Sequence, residues 1–87
     1  MKIRLYIAGP MTGLPDSNYP AFNAAAARLR QLGYHIENPA ENGELANWQE
    51  YMRAGIRQLI SCDTIVMLDG WEKSKGATIE HYLSYRD

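Results

Sequence analysis

Thr64-Ile-Val-Met-Leu-Asp-Gly-Trp-Glu-Lys-Ser-Lys-Gly-Ala-Thr-Ile-Glu80 is the stretch on which the fold turns. An apolar run over residues 64–68 feeds a loop containing Gly70, and a helical pattern leaves it. Open parallel α/β sheets build ligand crevices from this succession, because strand ends and helix N-termini meet there. Ser74 reads as an N-cap whose hydroxyl can serve the backbone or a ligand. Glu80 falls about two turns into the helix, where it can still point back towards the crevice. A capped surface helix with a solvated glutamate fits this segment equally well, so the rest of the chain has to decide.

Working outward, residues 3–8 read as a strand that alternates Ile3, Leu5 and Ile7 against Arg4, Tyr6 and Ala8. The loop Gly9-Pro-Met-Thr-Gly-Leu-Pro-Asp16 follows, too punctuated to continue a strand or helix. A helix starts at Asn18 or Tyr19 with Pro20 in its first turn, carries Phe22, Ala25, Ala26, Leu29 and Leu32 at helical spacing, and closes at Gly33. Residues 34–37 form a short strand ending at Asn38-Pro39, and residues 41–44 read as loop. A second helix begins at Asn47, with Trp48, Tyr51, Met52, Ile56, Leu59 and Ile60 on one stripe. Gly55 interrupts it, at about 1 kcal/mol relative to alanine. The third strand spans residues 64–68 and the last helix runs from about Lys75 to Arg86.

The order is β-α-β-α-β-α. Right-handed crossovers then require a parallel sheet with helices on both faces, most simply in strand order 2-1-3. This is a small three-layer Rossmann-like α/β fold, half of a flavodoxin-like sheet. Strands 1 and 3 become neighbours, and the loops after Ala8 and Leu68 open at the switch point. Tyr6, the loop of Gly9, Pro10, Met11, Thr12 and Gly13, Asp69, Trp71, Ser74 and Glu80 are thereby expected around one crevice.

The bulk properties narrow the function. Eighty-seven residues make a single domain, 1–87. A chain this short buries only about 60–65% of its unfolded surface, which favours a homodimer or higher homo-oligomer. A net charge of −1 argues against broad capture of nucleic acid or an acidic membrane. Cys62 is the lone cysteine, which excludes an intrachain disulfide and suits a reducing cytoplasm. His35 and His81 lack close ligand spacing, so no metal site is expected. No signal peptide or membrane-spanning run is expected either.

The Gly9–Gly13 loop is no P-loop, since it lacks the Gly-Lys-Ser/Thr ending, and it does not match a dinucleotide fingerprint. No cofactor is therefore expected. Its backbone can still cradle a phosphate or a sugar hydroxyl, or be a simple turn. Tyr6, near the end of a central strand, reads as core or as a group that orients a carboxylate. Asp63 precedes the third strand at the opposite edge and reads as structural. Asp69 lies on the crevice edge, and Trp71 either stacks on a base or covers the loop.

Tyr6-Ile-Ala-Gly-Pro10 together with Ser74-x-Gly76-Ala-x-x-Glu80 resembles the nucleoside 2-deoxyribosyltransferase superfamily, which includes the deoxynucleoside 5′-monophosphate N-glycosidases. The similarity is greatest to its short phage and prophage members and covers nearly the whole chain. It implies that Glu80 is the nucleophile that attacks the sugar C1′, giving a glycosyl intermediate resolved by an acceptor base or by water. It also implies that Tyr6 positions Glu80. Ser74, where the nucleoside enzymes tend to carry aspartate, and the Gly9–Gly13 loop imply a 5′-monophosphate ligand. Two departures stand out. The family's general acid would fall at Gly55, so Gly55→Asp is expected to restore acid catalysis, an effect of about 10²–10⁴-fold. The chain also ends before the C-terminal part of larger members. The expectation is a nucleotide-binding domain with deoxyribosyltransferase-like or N-glycosidase-like chemistry. Its rivals are a non-catalytic nucleotide-binding or sequestering phage protein and a structural protein with a vestigial crevice.

Overall fold

The computed structural model describes residues 3–84. Three strands, β1 (Arg4–Ala8), β2 (His35–Glu37) and β3 (Thr64–Met67), alternate with α1 (Tyr19–Gln31), α2 (Trp48–Ile60) and α3 (Lys75–Ser84). Both pairings are parallel and the order is β2-β1-β3, as right-handed crossovers demand. Tyr6 stands opposite Glu37 on one side and Ile65 on the other.

The strand period of two sorts β1 between two layers. Leu5 and Ile7 pack with Ile36 against Phe22 and Ala26 of α1. Tyr6 and Ala8 face the other way, clustered with Leu59 of α2 and flanked by Ile65 and Met67. Tyr6 also meets Glu80 of α3, so α2 and α3 share that face. The central strand is buried from Leu5 to Ala8, whereas β3 at the sheet edge is at most half-buried.

Several boundaries differ from the sequence reading. The strands are shorter by a residue: β1 starts at Arg4, β2 at His35, and β3 ends at Met67. Residues 39–42 form a 3-10 turn in place of loop, started by Asn38, whose side chain accepts from the Ala40 N–H. Leu32 and Ile60 are exposed because each ends its helix, past the last turn that packs on the sheet. The expected end of the last helix, at Tyr85 and Arg86, lies outside the described residues.

At the lower edge of the sheet, Asp63 is structural as expected, with Oδ2 accepting from the Arg4 N–H at 2.9 Å. Among the described residues, no helix is long and apolar enough to cross a membrane.

Candidate active site

Helix α2 runs antiparallel to the strands, so its N-terminus shares the upper sheet edge with the Gly9–Gly13 loop and the start of α3. One pocket opens there, between the beginnings of all three helices. Tyr6 and Glu80 line it, with Gly9, Met11 and Thr12 from the first loop and Ser74, Gly76 and Ala77 from the start of α3. All of these except Ala77 are residues the sequence nominates.

The chemical centre of the pocket is one hydrogen bond. Tyr6 Oη donates to Glu80 Oε2 at 2.7 Å, joining the first strand to the last helix. Tyr6 is 1% exposed and Glu80 is 7% exposed. Burial raises the Glu80 carboxyl to about 7, while the bond from Tyr6 pulls it the other way. Burial, with the adjacent Glu80 carboxylate, pushes the Tyr6 hydroxyl far up, so it stays a donor. Near neutral pH the site therefore holds a carboxylate that is partly ionised and poorly solvated, with one fixed donor on it.

Gly55 is what lets helix α2 approach this pair. A Cβ at position 55 would stand 2.6 Å from Glu80 Oε2 and 2.6 Å from Tyr6 Oη. This corrects the expectation for Gly55→Asp: an aspartate there displaces the pair before its carboxylate can protonate anything. The helix gives up about 1 kcal/mol of propensity at this glycine to close the floor of the pocket.

Ser74 is the N-cap of α3, its Oγ accepting from the Ala77 N–H at 3.2 Å. That bond uses an oxygen lone pair and leaves the hydroxyl proton for another partner. The first loop is braced by Asn18, which donates from Nδ2 to the Pro10 carbonyl at 2.9 Å instead of capping α1. Asp16, Ser17 and Asn18 hold φ of 52°, 54° and 61°, three successive left-handed residues at the pocket rim. Such residues persist where surrounding contacts over-determine them.

Asp69, Trp71, Pro10 and Gly13 are not brought to the pocket wall. Gly70, at φ 86°, turns the chain out of β3, leaving Asp69 exposed. The 3-10 turn Trp71–Lys73 then carries Trp71 onto His81, with ring centroids 4.4 Å apart. The tryptophan at the pocket is Trp48, with Lys75 Nζ 4.7 Å from its ring centroid. Tyr19, Phe22, Pro39, Asn42, Tyr51 and Met52 also line the pocket, none of them nominated as site residues by the sequence reading. Burial, and then the nearby Tyr51 hydroxyl, raise the Tyr19 hydroxyl. A usable signal was present in the α2 stripe, which changes from Trp48, Tyr51 and Met52 near its start to Ile56 and Leu59 near its end. The aliphatic half covers the sheet, and the aromatic half projects past it into the pocket. Among the described residues, no group of three or more His, Cys, Asp or Glu gathers to hold a metal ion.

Comparison with curated proteins gives no match. The profile of a domain family of unknown function, DUF4406, matches residues 3–86, which takes in both halves of the Tyr6–Glu80 pair. On a match of that extent, the chain belongs to the DUF4406 family.

Proposed function

We propose that this domain binds a deoxynucleoside 5′-monophosphate in the upper pocket and cleaves its N-glycosidic bond, with Glu80 as nucleophile. The observation that carries the reading is the buried 2.7 Å contact between Tyr6 and Glu80 on the floor of an aromatic pocket. The resemblance to the deoxyribosyltransferase superfamily supports the same two roles. An ionised Glu80 oxygen forms a bond to C1′ as the C1′–N bond breaks, and the electron pair leaves with the base. Solvent supplies the proton the departing base takes up. Water then attacks C1′ of the glycosyl ester, releasing the sugar phosphate and regenerating Glu80. Tyr6 holds the carboxylate throughout and cannot itself give up a proton near neutral pH.

The phosphate subsite rests on the Ser74 hydroxyl, the first N–H groups of α3 and the backbone at Gly9, Met11 and Thr12, with the Lys75 charge beside them. Helix N-termini favour an anion. Tyr51, Tyr19 and Trp48 offer flat apolar faces to a base.

A second reading has its own observation. Glu80 is the one carboxylate among the described residues that line the pocket, so a retaining displacement here lacks a protein acid. A domain that binds a nucleotide without turning it over fits that wall equally.

Single-turnover cleavage and calorimetric binding separate the two. Glu80→Gln should abolish cleavage of a deoxynucleoside monophosphate while keeping its affinity. Undiminished cleavage by Glu80→Gln refutes the nucleophile, and binding without cleavage by wild type favours the second reading. Monophosphates should bind more tightly than the matched nucleosides, and Ser74→Ala should narrow that gap. Equal affinity in wild type would sink the phosphate subsite.

A further inference from the structure

Asn42 is the one primary amide in the pocket wall among the described residues, and its orientation is set from outside the pocket. Its Nδ2 donates to Gln58 Oε1 at 2.8 Å. Gln58 Nε2 in turn donates to Glu37 Oε1 at 3.2 Å. The other Glu37 oxygen, Oε2, faces His35 Nε2 at 3.0 Å and Arg4 Nη2 at 3.4 Å. Three elements contribute: Glu37 ends β2, Asn42 ends the turn after it, and Gln58 lies on α2.

The donor and acceptor chemistry of this chain allows one assignment. An ionised carboxylate only accepts hydrogen bonds. The His35 contact, the Gln58 bond and the Arg4 charge hold Glu37 below the ordinary carboxylate range, so it is ionised across the neutral region. Gln58 must then turn its NH2 towards Glu37 and its carbonyl towards Asn42. That carbonyl only accepts, so Asn42 must turn its NH2 towards Gln58. The Asn42 Oδ1 is left over, and among the described residues no donor engages it. Amide groups free of such a chain rotate to suit either a donor or an acceptor; this one is polarised at its far end by a charge.

We propose that the Glu37–Gln58–Asn42 relay presents the Asn42 carbonyl oxygen to the pocket and makes the site select a base bearing an amino group over one bearing an oxo group. The ligand class is then an adenine or cytosine nucleotide in preference to its hypoxanthine or uracil counterpart. This rests on the nucleotide-binding reading of the same pocket. An acceptor whose orientation is fixed discriminates, because an oxo group would set two acceptors against each other. Glu37 and Gln58 touch no ligand. They are positioning residues acting through Asn42.

The test is a matched pair, deoxyadenosine 5′-monophosphate and deoxyinosine 5′-monophosphate, titrated calorimetrically into the intact chain. Wild type should bind the amino compound at least about tenfold more tightly, the scale of one well-made hydrogen bond. Gln58→Met removes the relay at similar volume and should bring the ratio towards one, chiefly by improving the oxo compound. Glu37→Gln should do the same, since a neutral amide no longer dictates which way Gln58 turns. A merely structural role for either residue would weaken both ligands together and leave the ratio intact. Equal affinity in wild type overturns the proposal without any variant. So does an unchanged preference in a Gln58→Met protein that still binds. Failure of both nucleotides to bind overturns the nucleotide reading along with this one. Binding with the expected preference but without cleavage leaves the relay standing and refutes only the chemistry assigned to Glu80.

Discussion

Replacing Gly55 by alanine sets two effects of opposite sign against each other, and the structure says which wins. In an open helix interior the change stabilises by about 1 kcal/mol, because alanine is the better helix former. Here the new Cβ would lie 2.6 Å from both Glu80 Oε2 and Tyr6 Oη. Ordinary carbon–oxygen contacts are about 3.3–3.6 Å, so the overlap is roughly 0.7–1 Å on two sides at once. The Tyr6 ring is walled in at 1% exposure, and the Glu80 carboxylate is the part that can swing. Moving it breaks the 2.7 Å bond and leaves buried polar groups short of a partner, at about 1–3 kcal/mol. Overpacking adds about 1–3 kcal/mol. Net destabilisation is therefore about 1–5 kcal/mol, and the melting temperature should drop by at least about 4 °C in a domain of this size. Urea and thermal unfolding of wild type and Gly55→Ala measure it directly. Repeating the change in a Tyr6→Phe background should cost less, since the immovable oxygen is gone and the Tyr6 ring carbon at 3.7 Å is ordinary contact. A Gly55→Ala protein as stable as wild type, or more so, would refute the packing argument. Gly55→Asp should likewise lose stability and any turnover instead of gaining it.

Three further outcomes follow from the same site. Glu80 titrates at about 7 when folded against 4.5 in an unfolded chain, so its contribution is full below 4.5 and is lost as pH rises through 7. At 1.36 kcal/mol per pH unit the loss is about 3 kcal/mol, visible as wild-type stability falling relative to Glu80→Gln between about pH 5 and pH 8; parallel curves would contradict it. The Tyr6 bond lowers the Glu80 carboxyl, so Tyr6→Phe should shift the rising limb of any pH–rate profile, centred near 7 in wild type, to higher pH; an unmoved limb argues that Tyr6 does not act on Glu80. The half-exposed β3 edge and the exposed Ile60, Tyr82 and Leu83 lead us to expect a homodimer or larger assembly, and light scattering of a stable monomer at micromolar concentration would exclude it.

What could be read from the sequence depended on how local its cause was. Alternation over residues 3–8 and the stripe beginning at Phe22 specify elements, and the handedness of crossovers converts their order into a sheet. Ser74 and Glu80 were legible because cap and helix spacing fix where they sit relative to the strand end. The role of Gly55 was not, since its reason is a contact between residues 6 and 80 that no window around residue 55 contains. The two readings of Trp71 could not be separated for a related reason: the left-handed Gly70 decides where the chain goes, and a turn towards His81 is as compatible with the local residues as a turn towards the crevice. Asn42 and Gln58 look like ordinary polar residues until the fold sets them 2.8 Å apart.

The bond between Tyr6 and Glu80 spans 74 positions, from the first strand to a ten-residue helix at the end of the described chain. A short helix can open locally without taking the sheet with it. Such an opening of α3 would return Glu80 to water and dissolve the pocket while β1, β2 and α1 stay in place. The ionised carboxylate resists burial, so the excursions should become more frequent as pH rises. A ligand held by both α3 and the first loop would suppress them, and the amides of α3 would then exchange with solvent deuterium more slowly than those of α1 gain or lose. In synthesis the order is equally strict: the pocket cannot form until α3 has left the ribosome, long after β1 has done so.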